Sequence, residues 1–187
     1  PDVRMVEQPQ DISGWQQYAS RYLRLRTEHQ DAVNAYISEH FGTDRVLGVL
    51  CRGTDYITLK PHNHPVQPQT ADVIEKCREV MQNRNCRYLY LATEDADIWD
   101  AFTKAFPGKV YSYQKERYRA EQTDGYLDSV GNSRMNPYER NRDYLISIGI
   151  LAKCTCLVAG AANGTYGALL LTKGYEYTYI YQLGRYE

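Results

Sequence analysis

Apolar positions along the chain follow two patterns. Where they recur every three to four residues they predict helices, and where they cluster between turn signals they predict buried strands. Helical spacing covers Ile12–Arg24, where Trp15, Tyr18, Tyr22 and Leu23 recur. It continues over about Glu28–Phe41, where Ala32, Val33, Tyr36, Ile37 and Phe41 form a stripe that Gly42 is placed to end. It returns over Thr70–Gln82, with Val73, Ile74, Cys77 and Met81 on one face and Thr70 as the expected N-cap. Ala96–Phe106, Tyr138–Lys153 (Tyr144, Leu145, Ile148, Leu151) and Tyr166–Lys173 complete the helices. The strand-like runs are Val46–Cys51, Arg87–Thr93, Lys109–Tyr113, Thr155–Ala159 and Glu176–Gln182.

Strands that alternate with helices predict βαβ units, hence a parallel sheet with helices on both faces. The expected class is α/β: a Rossmann-like, three-layer αβα unit with a mainly parallel, doubly wound sheet. If the strand order is 3-2-1-4-5, strands one and four are neighbours and a crevice opens at their carboxyl ends. Strand one runs directly into Arg52-Gly53-Thr54-Asp55, strand two into Thr93-Glu94-Asp95, and strand four into Gly160-Ala161-Ala162-Asn163-Gly164-Thr165. Three turns are thus expected around one crevice. Two stretches break the pattern. Thr58–Pro68 holds Pro61, Pro65 and Pro68, which exclude a regular element. Gln114–Pro137 is polar and long, so it is either functional or disordered, and we expect a lid that orders when ligand binds.

Composition narrows the picture. The chain has 187 residues, one domain's worth, and a net charge of -1 with both signs interspersed. That balance argues against nucleic-acid binding and against a polybasic membrane surface. No apolar run approaches the ~20 residues of a membrane helix. The opening Pro1-Asp2-Val3-Arg4 is no signal peptide, and because Pro1 is not Met a trimmed piece of a longer chain is expected. The five cysteines, Cys51, Cys77, Cys86, Cys154 and Cys156, sit mostly in apolar runs and read as small buried thiols of a reducing compartment. Neither they nor His62 and His64 have metal-site spacing, so no metal is expected. The 18 tyrosines suit half-buried strands and sheet edges better than a sugar cleft.

The crevice residues suit an anion. Small residues after strand four let the backbone approach a ligand, and the following helix offers unpaired N–H groups. Arg52 opposite them carries a planar, permanently charged fork that fits a diphosphate. Asp95 is placed to cap the next helix, while a carboxylate of the Glu94-Asp95 pair could accept from guanine N1–H and its 2-amino group. Asp55 could be a general base or could brace Arg52, and its spacing three residues after the arginine favours bracing.

These residues resemble a known family: the GT-B fucosyltransferases of the α-1,2/α-1,6/protein-O superfamily, specifically their C-terminal, donor-binding half, as in core α-1,6- and nodulation fucosyltransferases. The family's His-x-Arg-Arg-x-Asp aligns with Leu50-Cys51-Arg52-Gly53-Thr54-Asp55, its Ala-Thr-Asp-Asp with Ala92-Thr93-Glu94-Asp95, and its small or serine-rich turn with Leu157–Thr165. Leu50, Gly53 and Ala162-Asn163 stand where the family carries His, a second Arg and a serine pair. The resemblance spans about Trp15–Gly174.

It implies an inverting, metal-independent glycosyltransferase that uses GDP-fucose and a glycan acceptor. Arg52 and Asp55 would be catalytic. Arg52, Thr93, Glu94, Asp95, Ser112, Ala162, Asn163, Gly164 and Thr165 would bind donor. No cofactor is implied. No general base carries over, since the position expected to hold one lies near the cationic Lys60. Residues 1–187 would form one nucleotide-sugar-binding domain led by a helical segment over 1–42, with the acceptor domain absent. The expected setting is bacterial surface or capsular polysaccharide synthesis, in the cytoplasm or at the inner membrane face, with peripheral membrane association through the full-length protein. Another nucleotide-sugar donor, or a non-catalytic nucleotide- or sugar-binding domain, is the alternative.

Overall fold

A computed structural model describes residues 12–53, 59–113, 116–119 and 136–187. Thr54, Asp55 and most of the expected lid over Gln114–Pro137 lie outside the described residues.

Five strands form one parallel sheet: β1 (Val46–Leu50), β2 (Tyr88–Ala92), β3 (Val110–Tyr111), β4 (Cys156–Gly160) and β5 (Tyr177–Tyr181). Their order is β3-β2-β1-β4-β5. β1 pairs in register with β2 (Val49 beside Leu91) and with β4 (Val49 beside Val158). These two central strands, Val-Leu-Gly-Val-Leu and Cys-Leu-Val-Ala-Gly, are buried along their whole length. A strand covered on both faces needs no polar alternation, which is why their sequences are unbroken apolar runs.

Six helices among the described residues cover the sheet: α1 (Ser13–Tyr22), α2 (Thr27–His40), α3 (Thr70–Asn83), α4 (Ala96–Ala105), α5 (Pro137–Leu151) and α6 (Asn163–Leu171). One face is packed by α3 and α4, through Val73, Ile74, Cys77, Val80, Ile98 and Phe102. The other is packed by α2, α5 and α6, through Val33, Ile146, Ile148, Ile150, Ala168 and Leu169. This is the three-layer αβα arrangement expected. All five cysteines are buried and unbridged. The tyrosines fill sheet faces and edges: Tyr36, Tyr90, Tyr111 and Tyr113 meet edge-on in one aromatic cluster that includes Phe41. No helix among the described residues is long and apolar enough to cross a membrane.

Local signals explain most helix ends. Gly42 adopts φ +54° and donates to the Ile37 carbonyl, closing α2. Asn136 caps α5 by accepting from Glu139 N at 2.9 Å, and Pro137 takes the first helical position, where its missing N–H costs nothing.

Two expectations are corrected and the face of one helix is assigned. Thr70 is the first residue of α3, not its cap; Gln69 holds that place and makes no side-chain cap bond. In α1 the stripe Trp15, Tyr18, Tyr22 and Leu23 faces outward, 45–67 % exposed, while Ile12 and Ala19 are buried. The helix is held instead by Gln16, whose Nε2 donates to the Leu169 and Thr172 carbonyls at the end of α6. Those orphan C-terminal carbonyls need donors, and this polar demand sets the helix rotation against the aromatic periodicity. Finally, α6 begins at Asn163 rather than Tyr166, so Asn163, Gly164 and Thr165 form a helical first turn and not a loop.

Candidate functional site

The crevice lies where strand order reverses. β1 delivers Leu50, Cys51, Arg52 and Gly53; β2 delivers Ala92, Thr93, Glu94 and Asp95; β4 delivers Ala162; and Tyr144 reaches in from α5. These residues line a narrow crevice that is partly open to solvent. All three strand-end turns expected at one site are brought together, because parallel strands in register end at one edge of the sheet.

The β2 turn is tightly fastened. Thr93 Oγ1 accepts from Asp95 N at 3.2 Å. Asp95 Oδ1 then accepts from Asp97 N (2.8 Å) and Ile98 N (3.0 Å), capping α4. These charge-assisted bonds offset the cost of holding the carboxylate 7 % exposed. Residues 116–119 close the outer side: Tyr118 N donates to the Glu94 carbonyl at 2.8 Å, and Ala96 N to the Tyr118 carbonyl at 2.9 Å.

Gly53 packs against this carboxylate. A Cβ there would stand 2.3 Å from Asp95 Oδ2 and 2.7 Å from Ile98 Cδ1. The position that carries a second arginine in the resembling family therefore has no room here for any side chain. Neighbouring Cys51 is 1 % exposed, and burial, reinforced by the Asp95 charge, pushes its thiol up to about 12.

The β4 turn is built differently. Ala162 is the N-cap of α6, in extended conformation, with no side chain capping the helix. The first helical bond, Tyr166 N to Ala162 O at 3.2 Å, leaves the N–H groups of Asn163, Gly164 and Thr165 before it outside the helical ladder. The side chains of this turn serve packing. Thr165 Oγ1 donates to the Gly160 carbonyl at 2.6 Å. A Cβ on Gly164 would meet Tyr144 Oη at 2.6 Å and Leu50 Cδ1 at 2.8 Å. Of this turn's expected donor-binding residues, only Ala162 lines the crevice. Asn163 and Gly164 line an adjoining apolar cleft of about 460 Å³ shared with Leu145, Ile148 and Leu170.

Ser112, at the end of β3, does not line the crevice; its Oγ is buried and has no hydrogen-bond partner among the described residues. Asp55 lies outside the described residues. Among the described residues, no three His, Cys, Asp or Glu side chains are grouped to hold a metal ion.

Two residues escape sequence reasoning, one lining the crevice and one bound to the turn after β4. Tyr144 reads as part of a helical burial stripe, and its place at the crevice depends on the rotation of α5. Gln67, in the proline-rich loop, is 2 % exposed, and its Nε2 donates to the Ala161 (2.9 Å) and Pro65 (3.1 Å) carbonyls. It ties that loop to the β4 turn.

No family model matches the chain, and no curated protein sequence matches it. Among solved structures it is similar to POFUT1 in complex with GDP, at TM-score 0.60 and 12% identity, covering 90% of this chain and 50% of that one. It is similar to POFUT1 in complex with GDP-fucose at TM-score 0.58 and 11% identity, covering 87% and 49%. The fucosyltransferase NodZ from Bradyrhizobium aligns at TM-score 0.49 and 20% identity, covering 81% and 44%. The chain spans about half the length of these structures or less. It shares with the POFUT1 structures a Rossmann-like αβα fold.

Proposed function

We propose that this chain is the donor-binding part of a glycosyltransferase whose nucleotide sugar is GDP-fucose. One observation carries the reading: Arg52 and a helix N-terminus that no side chain caps stand at the same crevice. A guanidinium and a row of backbone N–H groups form a seat for a diphosphate. The fold shared with POFUT1 crystallised with GDP and GDP-fucose supports a ligand of that class.

In this reading the diphosphate lies between Arg52 and the amides of Asn163, Gly164 and Thr165. The base lies toward Glu94 and Asp95, on the β2 side, with Ser112 beyond them. As the bond between the anomeric carbon and the phosphate oxygen breaks, negative charge grows on the departing GDP. Arg52 and the amides stabilise that charge without a divalent ion. A hydroxyl of a glycan acceptor attacks from the opposite face, inverting the anomeric centre. Asp55 braces Arg52 or takes the hydroxyl proton. The acceptor site belongs to a further domain of a longer protein. The setting is synthesis of a surface or capsular polysaccharide in the cytoplasm or at the inner membrane face.

Calorimetric titration with GDP in the presence of EDTA tests this. Saturable binding is expected, weakened roughly 10- to 100-fold by Arg52→Ala, since a bond to a charged group contributes about 1.5–3 kcal/mol. Tighter binding of UDP would move the reading to another nucleotide sugar. Absence of nucleotide binding would overturn it.

A further inference from the structure

Arg117 sits on the segment that closes the outer side of the β2 turn. Its guanidinium carbon lies 3.9 Å over the centre of the Trp99 ring. The side chain is only partly exposed, yet it makes no hydrogen bond or ion pair to any described residue, and its Nε is buried without a partner among them. The carboxylate of Asp100 is taken by Arg119, at 2.8 Å. Burial accordingly lowers the Arg117 pKa, with Asp100 opposing the shift through space. An arginine normally places its five N–H donors on carboxylates, carbonyls or water. Here an indole plane fixes the fork while its donors are left for something else. Tyr118, the next residue, is hydrogen-bonded into the turn of Glu94 and Asp95, so the segment that carries Arg117 runs along the outer side of that turn.

The surrounding charge decides what would bind there. Glu94 and Asp95 lie on the same turn, while Arg119 pairs with both Asp97 and Asp100, so the neighbourhood carries both signs. A neutral base offering donors on one edge and acceptors on the next fits both signs. Guanine has that layout: N1–H and the 2-amino group suit a carboxylate, and the adjoining O6 and N7 accept from an arginine fork.

We propose that Arg117, held on Trp99, reads O6 and N7 of guanine and is a specificity-determining residue of the donor site. This rests on the nucleotide-sugar reading above. It adds a cation at the base end of the crevice, distinct from Arg52 at the phosphate end.

The test is calorimetry with GDP, 7-deaza-GDP, ADP and pyrophosphate on the whole chain. Wild type is expected to prefer GDP over ADP, and to bind 7-deaza-GDP several-fold more weakly. Arg117→Met is expected to weaken GDP about tenfold or more, to level GDP with ADP and to leave pyrophosphate unchanged, with a bidentate base contact setting the scale. Arg117→Lys keeps the charge and loses the fork, so it should lose the GDP preference while staying folded. In a Trp15→Phe background Trp99 is the sole tryptophan, and GDP is expected to change its emission. If Arg117→Met and Arg117→Lys both bind GDP within twofold of wild type while Arg52→Ala does not, the inference fails and the nucleotide reading stands. If wild type binds pyrophosphate and no nucleotide, both fail.

Discussion

The turns after β2 and β4 face one crevice, and each opens a helix there, yet they treat the helix N-terminus in opposite ways. After β2, Asp95 places a carboxylate on the first N–H groups of α4. After β4, Ala162 places only a methyl group at the start of α6. The first turn closes its own anion seat with a side chain of the protein. The second leaves its first N–H groups without a side-chain cap. The N-cap residue thus distinguishes the two walls, and in the proposed function the first takes the base and the second the phosphates.

Gly53→Ala should have the largest effect on this contrast. The new Cβ would press on Asp95, which cannot retreat without breaking two cap bonds. A loss of about 1–3 kcal/mol is expected in denaturant unfolding, the range for overpacking. In an Asp95→Ala background the same change should cost clearly less, and equal costs would break the claimed contact. Next in size is Asp95→Ala, which removes the cap and should cost about 1–2 kcal/mol in thermal unfolding. Asp95→Asn keeps an acceptor for the cap and removes the charge. It should restore most of the stability but not the GDP affinity, so a fully recovered affinity would remove the carboxylate from base recognition. The smallest effect is expected of Ala162→Ser, which offers α6 the cap it lacks. We expect a gain of about 0.5–1 kcal/mol in stability together with weaker GDP binding. A serine that strengthens both would mean that the open N-terminus is not where the ligand's charge sits.

Much of this was legible in the chain. The apolar run of β1 read as a strand buried on both faces, the alternation with helices implied a parallel sheet, and the doubly wound order assumed for it is the one observed. Asp95 as a cap, Gly42 as a helix end and five unbridged thiols follow from local chemistry alone. The site was legible as far as its three turns. Their side-chain roles were not. Thr165 and Gly164 read as ligand contacts, but the hydroxyl of one satisfies Gly160 and the missing side chain of the other makes room for Tyr144. The face that the α1 stripe takes was not legible either. Periodicity records which residues share a face, while the carbonyls of α6 decided which face turns inward.

The amino-acid sequence by itself determined the elements, their parallel order and the placing of Arg52 at a strand end, because these follow from periodicity, chain connectivity and the handedness of crossovers. Only the tertiary structure decided that Gly53 cannot carry a side chain, that Arg117 lies over Trp99, that Tyr144 lines the crevice, and that Gln67 ties the proline-rich loop to the β4 turn. Each depends on a distance between residues far apart in the chain, and such distances arise when whole layers pack, which no local pattern encodes.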